Sequence, residues 1–250
     1  MANDPLEQFK IHDVVPLPEA AGLDLSFTNS SFFSVAAAGL VILGLTLATN
    51  RLTLVPGRTQ SVAELAYEFV ADMIRGIVGS EGMAFFPYVF ALFSFILVSN
   101  LLGMVPFFFT TTSHIAVTAT LAVMTIGLVI VVGVAKHGLG FFKLFAPSGL
   151  PAPLYALIVP IEIISFLSRP ITLSVRLFAN MLAGHIMLKV FGGFVVSLGA
   201  LGAAGVLGAI APLGAAFFIT GLEFLVAFLQ AYVFAILTVI YLNDVIHMHH

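Results

Sequence analysis

Residues 155–194 read YALIVPIEIISFLSRPITLSVRLFANMLAGHIMLKVFGGF. The run is longer than one perpendicular crossing needs, because ~20 apolar residues already span a hydrocarbon core of ~30 Å. Yet Glu162, Arg169, Arg176, His185 and Lys189 interrupt it, together with Asn180. One ionisable side chain at the bilayer centre costs ~2.5–3.5 kcal/mol even on the forgiving insertion scale, so several on one helix call for an ion path. Glu162, Arg169 and Arg176 recur every seventh residue. At ~100° per residue such a series drifts only ~20° per step, and Asn180 lies one turn beyond Arg176. One polar stripe on one helix face results, and Pro160 and Pro170 bend it.

A second long apolar stretch, from about Ile210 to Asn243, holds Glu223 and Gln230. Between the two stretches, Gly199, Gly202, Gly205 and Gly208 recur every third residue, which suits a tight turn or close helix contact. An antiparallel hairpin turning near residue 203 or 204 faces Arg176 with Gln230 and His185 with Glu223. Such a register satisfies polar groups that lipid cannot. His185 and Glu223 titrate near physiological pH once partly buried and coupled, so they form a candidate proton relay. Arg176 stays charged, which suits it to block leakage and attract a carboxylate. At an effective dielectric of 20, unit charges 4 Å apart attract by ~4 kcal/mol, enough to shift a carboxyl pKa by ~3 units.

The rest of the chain fits the same environment. Of 250 residues, 60% are apolar and 8% charged, and the mean hydropathy is +1.15. A soluble domain is about 25% charged, so a water-soluble enzyme is excluded. Nine basic against twelve acidic residues leave no basic patch for nucleic acid. Cysteine is absent, which removes disulfides, thiol catalysis and iron–sulfur ligation. The acidic leader lacks a basic patch followed by an apolar core, so no secretory start is expected. No cofactor or metal is expected; His247, His249 and His250 read as a terminus rather than a ligand set, and Asn29-Ser30-Ser31 is discounted as a glycosylation acceptor.

The expected fold is an all-α membrane protein with about five transmembrane helices, a long, tilted C-terminal antiparallel hairpin and one cytoplasmic-side amphipathic helix. In one membrane domain, residues 1–31 form an outer N-terminal segment, 32–50 the first span, 61–78 the amphipathic helix, 84–135 a transmembrane hairpin and 155–243 the tilted hairpin. Arg51, Arg58 and Arg75 follow the first span, whereas Asp4, Glu7, Asp13, Glu19 and Asp24 precede it against Lys10. The positive-inside rule puts the N-terminus outside and the C-terminus in the cytoplasm. Ser61 and Glu64 have capping-box spacing, and Glu64, Glu68, Asp72 and Arg75 make one polar stripe. That stripe reads as a solvated face. Thr110-Thr111-Thr112-Ser113-His114 is a weak polar break dividing the hairpin, and Lys136, His137 and Lys143 return the chain to the basic side. Residues 145–154, with Pro147, Gly149, Pro151 and Pro153, read as a loop or re-entrant bend.

The run from Ser168 to His185, SRPITLSVRLFANMLAGH, resembles the signature helix of subunit a of F-type ATP synthases. Leu229-Gln230-Ala231-Tyr232-Val233-Phe234, then Leu237 to Leu242, resembles the last helix of that subunit, and Ser99 to Pro106 its second crossing. The resemblance extends from about Phe32 to Leu242. It implies that Arg176 is the essential arginine facing a rotating c-ring and separating two aqueous half-channels. It further implies that Gln230 contacts that arginine, that Asn180 lies beside it, and that His185 and Glu223 line the outer half-channel. Glu162 and Asn100 match polar positions linked to proton passage, Glu162 toward the cytoplasm. Arg169 and Lys189 match less specifically. The implied partners are the c-ring, b-type peripheral stalk subunits and the lipid bilayer; the implied location is a bacterial plasma membrane. Nucleotide chemistry belongs elsewhere, since no G-x-x-x-x-G-K-[ST] loop is present.

Blander readings stand beside these. Arg176 would snorkel to an interface, His185 would be a satisfied buried histidine, Asn180, Gln230 and Asn100 would only bridge helices, and Glu162 would be interfacial. The rival function is a proton-coupled secondary transporter with a midplane arginine site. Such transporters usually show paired halves with broken helices in corresponding places, whereas these charges concentrate in one hairpin.

Overall fold

The computed structural model describes residues 11–15, 26–50, 53, 55–105, 108–145 and 152–247. Most of the acidic leader, Arg51, Pro106, the Pro147–Pro151 bend, His249 and His250 lie outside them. Six helices account for most of the described chain: α1 (Asn29–Thr49), α2 (Arg58–Ile77), α3 (Phe86–Gly103), α4 (Ile115–His137), α5 (Ala152–Gly199) and α6 (Ala203–Ile246). Five of these are long and apolar enough to cross a membrane, α3 together with the 3₁₀ turn at Ser80–Phe85 that leads into it. The all-α membrane class follows.

Local chemistry explains where the helices begin. The Thr28 hydroxyl accepts from the Ser31 N–H at 3.3 Å, as an N-cap does for α1. Just before it, β1 (Asp13–Val15) pairs antiparallel with β2 (Phe27–Thr28), a short ribbon the sequence did not announce. For α2 the expected capping box does not form. The helix starts at Arg58 behind Gly57, so Ser61 lies inside it and its hydroxyl bonds back to the Gly57 carbonyl at 3.1 Å. Glu64 accepts from Gln60 at 2.7 Å instead of reaching back to the helix start. The amphipathic pattern itself is present: Val70, Ala71 and Ile74 are buried, while Glu64, Glu68, Asp72 and Arg75 are exposed.

The last two helices run further than the apolar stretches suggested. At 1.5 Å per residue, a helix of 48 residues is ~72 Å long, more than twice a hydrocarbon core, so α5 cannot stand perpendicular within one. Pro160 and Pro170 lie within it and remove two backbone donors. The turn into α6 falls at Ala200–Gly202, slightly before the expected residue 203 or 204. Gly202 has φ +85°, where a side chain would be strained, and Gly205 packs against the Leu198 carbonyl with no room for a Cβ.

The chain divides into two compact units: one of Met1–Ile42, Phe95–His114 and Leu177–Ala231, the other of Leu43–Ser94, Ile115–Arg176 and Tyr232–His250. In the first, Phe33 packs its ring 5.6 Å from Phe108 and 6.2 Å from Phe109. In the second, Tyr88 of α3 bonds Thr125 of α4 at 3.1 Å, and Thr118 of α4 bonds Ser174 of α5 at 3.1 Å. Many large apolar side chains face outward, among them Ile164 (66% exposed), Leu207 (71%) and Phe217 (84%). Water would penalise that surface and lipid does not.

Candidate functional site

The first unit gathers the polar groups that the hairpin register anticipated. His185 on α5 and Glu223 on α6 are both buried, with Nδ1 and Oε1 3.6 Å apart. Glycine makes that approach possible. A Cβ at Gly184 would lie 2.6 Å from Glu223 Oε1 and 3.1 Å from its Cδ. Neither Glu223 oxygen accepts a hydrogen bond from the described residues. A buried carboxyl so placed is costly unless protonated or shared with a base.

The same unit holds three amides. Asn100 on α3 is fully buried and donates Nδ2 to the Ala227 carbonyl of α6 at 3.1 Å, one turn beyond Glu223. Asn180 donates Nδ2 to Gln230 Oε1 at 3.0 Å. Asn180 lies one turn beyond Arg176 on the stripe that the hairpin register set against Gln230. Asn100 Oδ1 and Gln230 Nε2 keep unused hydrogen-bonding capacity within the described residues.

The Thr110–His114 break behaves differently from a surface turn. Thr110, Thr111, Thr112 and Ser113 are all buried, and Thr110 Oγ1 lies 3.2 Å from His185 Nε2. From its residues alone this segment had no role beyond dividing the hairpin. A run of hydroxyl residues inside a stretch otherwise free of formal charge was the available signal.

The second unit holds Arg176, Glu162 and Arg169. Arg176 is exposed, and among the described residues it has no hydrogen-bond or ion-pair partner. It borders an outward apolar face of α5 containing Ile164, Leu167, Ile171 and Val175. Glu162 is half-buried and likewise makes no such bond there. Arg169 pairs with Asp244 at 3.1 Å and lies 4.8 Å above the Tyr241 ring. Asp244 escaped notice in the sequence because it follows Asn243 at a helix end, where a charge looks solvated. Lys189 belongs to the first unit, half-buried one turn beyond His185 on α5.

Five long apolar helices and a buried His185–Glu223 pair contacted by a threonine hydroxyl define a polytopic membrane protein with a buried polar site. A family model described as ATP synthase A chain matches residues 31–243. The chain is 63% identical over 247 residues to ATP synthase subunit a of Allorhizobium ampelinum, covering 99% of this chain and 98% of that one. It is 62% identical over 250 residues to subunit a of Chelativorans sp., covering both chains fully, and 62% identical over 247 residues to that of Rhizobium meliloti, covering 99% and 98%. The chain belongs to the ATP synthase A chain family.

Proposed function

We propose that the chain is the proton-conducting stator subunit of a bacterial ATP synthase, presenting two aqueous half-channels to a rotating c-ring, with Arg176 between them. The observation that carries this reading is Arg176 itself: an exposed cation beside an apolar helix face, without a hydrogen-bond or ion-pair partner among the described residues. In hydrocarbon an unpaired guanidinium costs several kcal/mol, so its partner is an acid on another chain. A ring of carboxylates moving past it meets that need.

Protons enter past Glu223 and His185 and neutralise a ring carboxylate, which then tolerates lipid. After rotation, a later ring acid is drawn to ionise by Arg176 and its proton leaves on the Glu162 side. Asn180 and Gln230 shape the surroundings of the arginine, and Asn100 braces α3 against α6 between Glu223 and Gln230. The N-terminus lies outside and the C-terminus in the cytoplasm. Supporting that topology, Lys136 at the end of α4 meets Glu81 at 2.7 Å, and His137 meets the Val245 carbonyl near the end of α6 at 2.9 Å, so the ends of α4 and α6 share a side. The b-type peripheral stalk subunits hold the chain against the torque.

The test is Arg176→Ala in the assembled complex, read as ATP-driven proton pumping into membrane vesicles. Coupled pumping is expected to vanish; pumping at the wild-type rate overturns the reading. Purified chain reconstituted alone is expected to move neither solute nor sustained current, whereas solute uptake would favour a transporter.

A further inference from the structure

The Thr110 hydroxyl has two neighbours and one proton. It donates to the Gly103 carbonyl at 3.3 Å and lies 3.2 Å from His185 Nε2. Gly103 is the last residue of α3, and terminal helix carbonyls lack an intrahelical donor. In a water-poor interior an unsatisfied carbonyl is expensive, so the hydroxyl proton is committed there. Two features hold Thr110 in place. A Cβ at Gly103 would lie 2.6 Å from Thr110 Cγ2, so only glycine admits the contact, and Ser113 Oγ donates to the Thr110 carbonyl at 2.6 Å. With its proton spent, Thr110 Oγ1 faces Nε2 with a lone pair. Nε2 must then carry hydrogen, and the neutral ring leaves Nδ1 bare.

We propose that Thr110 is a positioning residue that locks His185 in the Nε2–H tautomer, aiming a bare Nδ1 at Glu223 so that the two side chains share a single exchangeable proton. The inference rests on the relay role given above to His185 and Glu223. A bare Nδ1 opposite an ionised carboxylate would set lone pair against lone pair, so the pair holds one proton at either end. Transfer breaks Glu223 Oε1–H, forms Nδ1–H and leaves a carboxylate beside an imidazolium; the reverse step restores both. Nε2–H never leaves. The present 3.6 Å separation exceeds a hydrogen bond, and a shift of under ~1 Å in the Glu223 carboxyl closes it. Lys189, one turn away on α5, is the other charged group on that helix near the ring.

Nitrogen-15 histidine NMR on the intact complex tests this, with H185Q identifying the His185 signals by difference. The expected neutral ring has a protonated Nε2 and an unprotonated Nδ1. T110S should keep that signature and translocate protons within about twofold of wild type, because the hydroxyl remains. T110V should mix the tautomers and slow translocation by ~10-fold or more, as a misdirected imidazole does in other relays. A wild-type ring protonated at Nδ1, or a T110V complex with unchanged tautomer, overturns the proposal. Should T110V fail to assemble, the wild-type spectrum and T110S decide alone. Undiminished translocation in H185Q would instead sink the relay reading, and the wild-type tautomer would still decide what Thr110 does.

Discussion

The two compact units solve the problem of polar groups in an apolar protein in opposite ways. In the second, charges neutralise one another: Arg169 meets Asp244 and Lys136 meets Glu81, in each case with partial exposure of both side chains. In the first, Ser99 Oγ, Asn100 Oδ1, Thr112 Oγ1, Gln230 Nε2 and both Glu223 oxygens are buried without a hydrogen-bond partner among the described residues, and the second unit shows no such atom among its own. A structural core minimises groups of this kind. Their concentration in the unit that holds His185 and Glu223 fits the proton path proposed there, whereas the paired charges of the second unit sit at partly exposed positions. Arg176 and Glu162 are exceptions there, neither with a hydrogen-bond or ion-pair partner among the described residues.

The contrast is broken most directly at Glu223. E223Q keeps the shape and hydrogen-bonding capacity but removes the acid, and should lower ATP-driven proton pumping by ~100-fold or more while the complex assembles normally. Pumping at the wild-type rate would show the cluster to be structural. Exchanging His185 and Glu223 should retain more pumping than removing either one, since a relay needs the pair rather than its order; equal losses in all three variants would point to packing. G184A comes next. Its methyl would press on Glu223 Oε1 and turn the carboxyl from His185, so a ~10-fold loss of pumping is expected from misplacement alone, with normal assembly.

What was legible in the sequence follows from the range of each interaction. The five apolar helices could be read because lipid demands long runs with little charge, and the stripe on α2 because burying one face imposes a helical period. His185 and Glu223 could be paired because a glycine-rich turn fixes an antiparallel register, and an offset of a few residues at Gly202 did not disturb them. The same register reached Gln230, which accepts from Asn180, one turn beyond Arg176 on the same stripe. Thr110 could not be found this way. Its partner is 75 residues distant, and a threonine run between two helices looks like a surface turn until packing buries it. Asp244 was hidden likewise, by a helix end that reads as solvated.

The second unit supplies the smallest effects, and these sharpen the comparison from its other side. D244N should leave Arg169 without its counter-ion yet still above the Tyr241 ring. The cost in stability is about 1 kcal/mol, because both side chains are partly exposed and the ring contact survives. Proton pumping should remain within about twofold of wild type, because a paired structural charge takes no step in a relay. E81Q should do less again. The Lys136–Glu81 pair is 41% and 60% exposed at its side chains, so water already screens it, and neither the thermal midpoint of the complex nor its pumping should change measurably. If D244N or E81Q instead abolished pumping while the complex stayed assembled, Arg169 or Lys136 would belong to the proton path, and pairing would no longer mark a charge as structural.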